Sequence, residues 1–401
     1  MSTRLTAKSR GFGLFGFLAL FFISLVLRPP VASIGPLLHE IVGDLMLNGF
    51  EAGMLTSAPV FCFGLGAFAS PALVRRFGVN RAMFIVLVVL SLSVVARLFF
   101  GYAGLLSATL AAGLSIAVAN VLLPTIVRVE FPARVPLVTG AYTTLLAFSA
   151  SFAAAIAVPT SESLGGWRLA LAVWVVPAAL AALFWAPKAM KTEPVEIVSD
   201  GAASEERAAV LRSPIAWAIV GFFGLQSLGF YAVLGWLPSL LISSGQSPAA
   251  AGGHLGLATA VGIPSGLLLS SIIGRFKSLA WWAAGASFAT FLGYVLLLLT
   301  LSNPMFAVPA CILIGLGQAS TFPMSLSIIG TRASTKAQTT QLSAIAQGWG
   351  YLIAAVGTFG VGYLASQTGN WSSSVVLLAA LTALQVGVGF YSGRPGLIPA
   401  K

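Results

Sequence analysis

Arg28 stands within an apolar stretch that begins at Gly11, seventeen residues earlier, or about 25 Å of helix at about 1.5 Å per residue. Uncharged polar side chains sit in similar stretches further along: Asn120, Gln226, Tyr231, Gln318, Gln341 and Gln347, with Trp236 close by. A guanidinium carries N–H donors in a planar fork and can hold a planar anion through two parallel bonds. Amides add donors and acceptors, and Tyr231 and Trp236 offer flat faces on which a planar solute can stack and be limited in size. This set suits recognition of a small polar guest. It does not suit bond-breaking chemistry, which needs a nucleophile with its base or a metal cluster. All ten acidic residues fall in loops or at the ends of apolar stretches, as do the two histidines, His39 and His254. Cys62 and Cys311 lie in apolar runs and read as packing residues. No enzyme, metal site or cofactor is expected.

The elements that must position these residues follow from composition. Hydrophobic residues make up 58% of the 401 positions and charged residues 8%, against roughly 25% charge in a soluble domain. Too few charges remain to build a water-facing surface. A soluble globular enzyme, a disordered chain and a disulfide scaffold are all excluded. Crossing a bilayer takes about 20 mostly apolar residues, and twelve stretches qualify. Spans 1 to 6 cover 12–34, 52–73, 82–100, 104–127, 137–158 and 168–186. Spans 7 to 12 cover 215–241, 251–273, 279–300, 305–329, 339–365 and 373–392. None alternates in polarity as a barrel strand does. The first follows Arg4, Lys8 and Arg10 as in a secretory signal, but no small-x-small site closes it, so it reads as a membrane helix.

With the N-terminus placed in the cytoplasm, eighteen of the 21 Lys and Arg residues fall on the cytoplasmic side, leaving Arg28, Arg97 and Arg168. That bias sets orientation and checks the span count, since one helix more or fewer would scramble it. The basic residues are not clustered, so no nucleic-acid partner is expected. The longest polar connection, 187–213, has the composition of a solvated linker and divides the chain into six-helix bundles at 1–186 and 214–401. Arg76-Phe77 and Arg275-Phe276 stand 199 positions apart, as do Pro124 and Pro323; Gly166-Trp167 and Asn370-Trp371 stand 204 apart. These offsets point to two related halves about an axis along the membrane normal.

Where Arg28 points depends on where span 1 ends. If the helix stops near Ala32, Arg28 snorkels to the outer interface. If it continues through Ser33-Ile34-Gly35-Pro36-Leu37-Leu38, Arg28 lies about 15 Å inside its outer end, and the sequence favours this second reading. Arg97, near the end of span 3, is expected to snorkel, and Arg168 to sit at the outer interface. Gly235 and Pro238 can break or bend span 7.

Twelve spans in two halves, with a basic turn after span 2, resemble the major facilitator superfamily. The turn reads Pro71-Ala72-Leu73-Val74-Arg75-Arg76-Phe77-Gly78. Its Arg-Phe-Gly portion matches the superfamily's loop motif, while Pro71 replaces a Gly and Arg75 the Asp of its gating ion pair. Five further stretches resemble the cyanate/2-nitroimidazole porter family. They are Leu27-Arg28-Pro29 with Gly35-Pro36; Ala119-Asn120 with Pro124; Gly224-Leu225-Gln226-Ser227 with Tyr231 and Trp236-Leu237-Pro238; Gly315-Leu316-Gly317-Gln318 with Phe322-Pro323; and Ala346-Gln347-Gly348 with Gly350-Tyr351.

The resemblance implies an all-α transporter of the bacterial inner membrane, working as a monomer on small, planar, often anionic or weakly acidic solutes. The expected substrate-binding residues are Arg28, Asn120, Gln226, Tyr231, Trp236, Gln318 and Gln347, with Arg75, Arg76 and Gly78 as the loop motif. Efflux of drugs or toxic compounds is the rival within transport. A membrane-embedded enzyme is the remote rival, and a receptor finds no loop able to hold a signalling domain. With no carboxylate inside a span, coupling is open between solute exchange, facilitated diffusion and entry of the solute with its own proton.

Overall fold

The computed structural model of the chain describes residues 10–131, 135–190, 207–276, 278–334 and 336–398. Arg4, Lys8, Arg134, Lys191, Lys277, Lys401 and the acidic residues of the linker from Glu193 to Glu206 lie outside the described residues. The architecture is helical throughout, with no strand among the described residues. In chain order the main helices are α1 (Arg10–Val26), α2 (Pro29–Ala32), α3 (Ile34–Leu45), α4 (Gly49–Ala96), α5 (Tyr102–Glu130), α6 (Val135–Leu164), α7 (Trp167–Ala172), α8 (Val175–Ala189), α9 (Pro214–Ser243), α10 (Pro248–Ile272), α11 (Ala280–Thr300), α12 (Ala307–Arg332), α13 (Lys336–Thr368) and α14 (Ser372–Gly393).

Ten helical segments are long and apolar enough to cross a membrane, and the bent pair formed by Leu18–Ala32 and Ile34–Leu45 makes an eleventh. The remaining expected span, 251–273, is the 25-residue α10, packed against α6 and α12. Span 1 runs past residue 34, as the favoured reading of Arg28 required: helical segments follow one another to Leu45, with a 42° bend near Ser33. Span 7 does not break: α9 runs unbroken through Gly235 and Pro238, because packing on both sides holds a proline-containing helix together inside the protein.

Helix ends are set by local chemistry. Asn48 caps α4 by accepting from Glu51 N while Glu51 accepts from Asn48 N, each at 3.0 Å, a reciprocal box that satisfies two N-terminal donors. Gly78 divides α4 into spans 2 and 3, with φ 75° and ψ 165°, a conformation that glycine tolerates without a Cβ clash. Inside the spans, hydroxyls bond back to their own helix. Ser24 donates to Leu20 O, Ser70 to Gly66 O and Ser287 to Ala283 O. This satisfies a polar group where water is absent.

The 187–213 linker marks one face of the bundle, the linker face. There Arg81 donates to Ala189 O, Lys188 pairs with Glu130 at 3.1 Å, and Arg332 donates to Ser392 O and Gly396 O. On the far face Arg168 pairs with Asp44 at 2.6 Å and lies over the Trp167 ring at 4.3 Å. The first six spans meet the last six chiefly where α4 packs on α13, α6 on α10 and α3 on α9, with smaller contacts of α3 with α10 and α4 with α9. On the far side these are tight. Gly35 passes so near α9 that an added Cβ would lie 2.2 Å from Leu234 O, and Ser151 of α6 donates to Gly256 O of α10 at 2.8 Å.

Candidate functional site

A cavity of about 660 Å³ lies between the two sets of spans. Its lining starts at Arg28 and Tyr231 and runs down to Ile273 and Leu326, near the linker-face ends of α10 and α12. The lining thus extends toward the linker face, while on the far side α3 and α9 meet closely at Gly35.

Arg28 reaches this cavity because of the two prolines after it. Pro29 and Pro30 have no N–H to give to the carbonyls of the preceding turn, so α1 stops at Val26 and a new turn starts at Pro29. Arg28 stands at that break as the N-cap of α2. Its Nη1 donates to Tyr231 Oη at 2.9 Å. Among the described residues no carboxylate pairs with it. The residue lines a cavity whose walls are mostly apolar.

Rings crowd this end of the cavity. Tyr231 meets Phe230, Phe63 and Tyr351 with centroids 5.1, 5.6 and 6.2 Å apart, and Tyr351 meets Phe223 edge-on at 5.1 Å. Edge-to-face packing of this kind fixes each ring's orientation. Gln226 and Gln318 also line the cavity. Gln226 Nε2 donates to Ser227 Oγ at 2.6 Å, and Gln318 Nε2 donates to Tyr294 Oη at 3.2 Å. Tyr294 in turn donates to Gly229 O. Among the described residues the cavity lining supplies one cation, amide groups and aromatic faces.

Four expected site residues are therefore brought together: Arg28, Gln226, Tyr231 and Gln318. Three are not. Trp236 does not line the cavity; its Nε1 donates to Thr358 O at 2.8 Å and its ring packs on Trp371. The cavity-lining residues of α9, from Gln226 to Leu234, occupy an arc of about 160° at about 100° per residue, and Trp236 projects about 60° beyond its edge. Gln347 is half-buried and donates to Ser343 Oγ, and Asn120 is half-buried on α5; neither lines the cavity. Of the loop motif, Gly78 makes the turn, and Arg76 is exposed with its guanidinium 5.4 Å from the Phe77 ring centre.

Arg97 also departs from expectation. It is fully buried rather than snorkelling. Its Nη1 donates to Pro30 O at 2.8 Å, while Nε and Nη2 have no partner among the described residues. The chain turns back at Leu98, so the side chain lies against span 1 instead of following the helix outward.

Sequence reasoning missed Thr143 and Thr144 of α6, Thr259 of α10, Phe230 of α9, Phe322 of α12 and Tyr351 of α13, all of which line the cavity. Phe322 and Tyr351 stood in the family-like stretches without being singled out. The threonines carried no signal, since hydroxyls occur throughout the spans. Among the described residues no three His, Cys, Asp or Glu side chains come together to hold a metal ion.

Comparison with known proteins follows the same lines. The sequence pattern of the Major Facilitator Superfamily matches residues 12–358. The 2-nitroimidazole transporter of Escherichia coli (strain K12) is 33% identical over 393 residues, covering 98% of each chain. The cyanate transport protein CynX of the same organism is 29% identical over 358 residues, covering 88% of this chain and 91% of that one. In fold, the chain superposes on an inward-facing, unoccupied bacterial homolog of the human lysosomal transporter Spinster with TM-score 0.78 and 14% identity, over 96% of this chain and 98% of that one.

Proposed function

The chain belongs to the Major Facilitator Superfamily and is a membrane transporter, and from that premise we propose that it carries a small planar solute, anionic or weakly acidic, across the bacterial inner membrane by alternating access. The observation that carries this reading is Arg28, a cation at the closed end of the cavity that is bonded to a tyrosine hydroxyl and has no carboxylate partner among the described residues. An anionic guest is its natural complement. Gln226 and Gln318 supply hydrogen bonds, and Tyr231 supplies a ring face and the hydroxyl that orients the guanidinium. In this arrangement Asn120, Trp236 and Gln347 make no contact with the solute. The names of the two relatives support the choice of solute class.

In our reading the linker face is cytoplasmic, as the placement of Lys and Arg argues, and the cavity is open to the cytoplasm. Bundles 1–186 and 214–401 rock against each other around the site, with Arg75, Arg76 and Gly78 at the turn where the linker-face gate closes. The carrier works as a monomer, and direction follows whichever gradient exists.

Uptake into proteoliposomes tests the reading, with cyanate and 2-nitroimidazole as solutes. A charge-assisted hydrogen bond contributes about 1.5–3 kcal/mol, so Arg28→Gln should lower kcat/KM by about 10- to 100-fold. Arg28→Lys keeps the charge without the planar fork and should fall between. Unchanged uptake by Arg28→Gln removes Arg28 from the site. A pH gradient across the vesicles separates entry with the solute's own proton from exchange and from facilitated diffusion.

A further inference from the structure

The chemistry around Arg28 narrows the solute further, resting on the anion-carrier reading above. Each amide in the cavity has one N–H engaged, Gln226 Nε2 on Ser227 Oγ and Gln318 Nε2 on Tyr294 Oη, which leaves its second N–H and its oxygen to a guest. Among the described residues neither amide oxygen accepts a hydrogen bond. The cavity thus offers only donors at Arg28, and both an acceptor and a donor at Gln226 and Gln318.

These two ends are separated along α9. Tyr231 marks the level of Arg28 through their 2.9 Å hydrogen bond. Gln318 meets α9 at Gly229, through Tyr294, about 3 Å of helix rise nearer the linker face. Gln226 lies five residues from Tyr231, about 7.5 Å of rise. The amides therefore stand at levels of the cavity nearer the linker face than Arg28.

The surfaces between the two ends are those of an aromatic slot. Phe230, Tyr231, Phe322 and Tyr351 contribute rings. The wall from α10 and α12 is smooth, because Gly315 lies against Ala258, where an added Cβ would be 2.1 Å from the Ala258 carbonyl oxygen. Ring faces and a flat small-residue wall favour a planar apolar body over a bare inorganic anion. Cyanate offers a charge but no donor and no apolar face, so it leaves the acceptors and rings unused.

We propose that the solute is an aromatic monocarboxylate bearing a hydroxyl or amino group across the ring. The carboxylate takes the free donors of Arg28, the ring lies among Phe230, Tyr231, Phe322 and Tyr351, and the distal O–H or N–H donates to Gln226 or Gln318.

The test is calorimetric titration of the purified full-length protein with 4-hydroxybenzoate, 4-aminobenzoate, benzoate, cyclohexanecarboxylate, cyanate and 2-nitroimidazole. The expected order is 4-hydroxybenzoate and 4-aminobenzoate tightest, benzoate about threefold to tenfold weaker for want of one hydrogen bond, and cyclohexanecarboxylate weaker again. In Gln226→Leu with Gln318→Leu the advantage of the hydroxyl over benzoate should vanish. If cyanate or 2-nitroimidazole binds more tightly than every aryl carboxylate, or the hydroxyl adds nothing in the unaltered protein, this inference is overturned while the anion carrier stands. If Arg28→Gln binds aryl carboxylates as tightly as the unaltered protein, both are overturned.

Discussion

Replacing Gly35 with alanine probes the far-side closure at its tightest point. The added Cβ would lie 2.2 Å from Leu234 O and 3.2 Å from Gly235 O. Such a contact needs at least 3.0 Å, so α3 and α9 must part by about 0.8 Å. Both neighbours are backbone atoms of a continuous helix and no side chain can swing away. Since α3 and α9 belong to different halves, the least costly relief is to separate the halves on the far side. Overpacking costs about 1–3 kcal/mol, which shifts an equilibrium between far-side-closed and far-side-open forms by about 5- to 150-fold. Thr56 reports on this seam, since it packs against Gly235 and is 6% exposed. A Thr56→Cys reporter, in a background lacking Cys62 and Cys311, should react slowly with an impermeant maleimide and much faster once Gly35→Ala is added. Gly315→Ala is the control. Its Cβ would meet Ala258 O at 2.1 Å, but both helices lie in the second half, so it should lower the melting temperature without speeding the reaction. Equal labelling rates with and without Gly35→Ala would refute the closure argument.

Tyr231→Phe removes the acceptor of Arg28 Nη1 and should raise the KM for uptake by about threefold to tenfold; an unchanged KM denies Tyr231 its orienting role. Trp236→Phe loses the bond to Thr358 O, which should cost about 1 kcal/mol of stability and leave the solute Kd unaltered; a weakened Kd would return Trp236 to the site. Arg97→Met replaces a buried cation that has one protein acceptor and two unpartnered nitrogens. An isolated buried charge costs stability and an apolar substitute removes that cost, so the melting temperature should hold or rise. Uptake should fall, because Pro30 loses the contact that steadies the turn after Arg28. A lower melting temperature contradicts the first expectation, and undiminished uptake the second.

The sequence determined the class of molecule. Apolar stretches of about 20 residues with few charges leave the chain no water-soluble alternative, so most spans could be placed within a few residues, while span 1 runs on to Leu45. Arg28, Gln226, Tyr231 and Gln318 stood out because polar groups inside a span are costly and few.

What the sequence left open was the rotation of each helix about its axis and the path of each end. A soluble helix declares its buried face by an apolar stripe, but a membrane helix is apolar on its lipid side as well, so α9 could not reveal that Gln226 and Tyr231 face the cavity while Trp236 turns to Thr358. Arg97 shows the same limit. Near a span end a cation can reach toward water or fold inward, and only the approach of Pro30 O settled the matter. Phe322, Tyr351 and the threonines joined the cavity because neighbouring helices turned them there. Those choices are made by close packing between helices far apart in sequence, at contacts such as Gly35 on Leu234, and close packing comes into being only when the whole bundle is assembled.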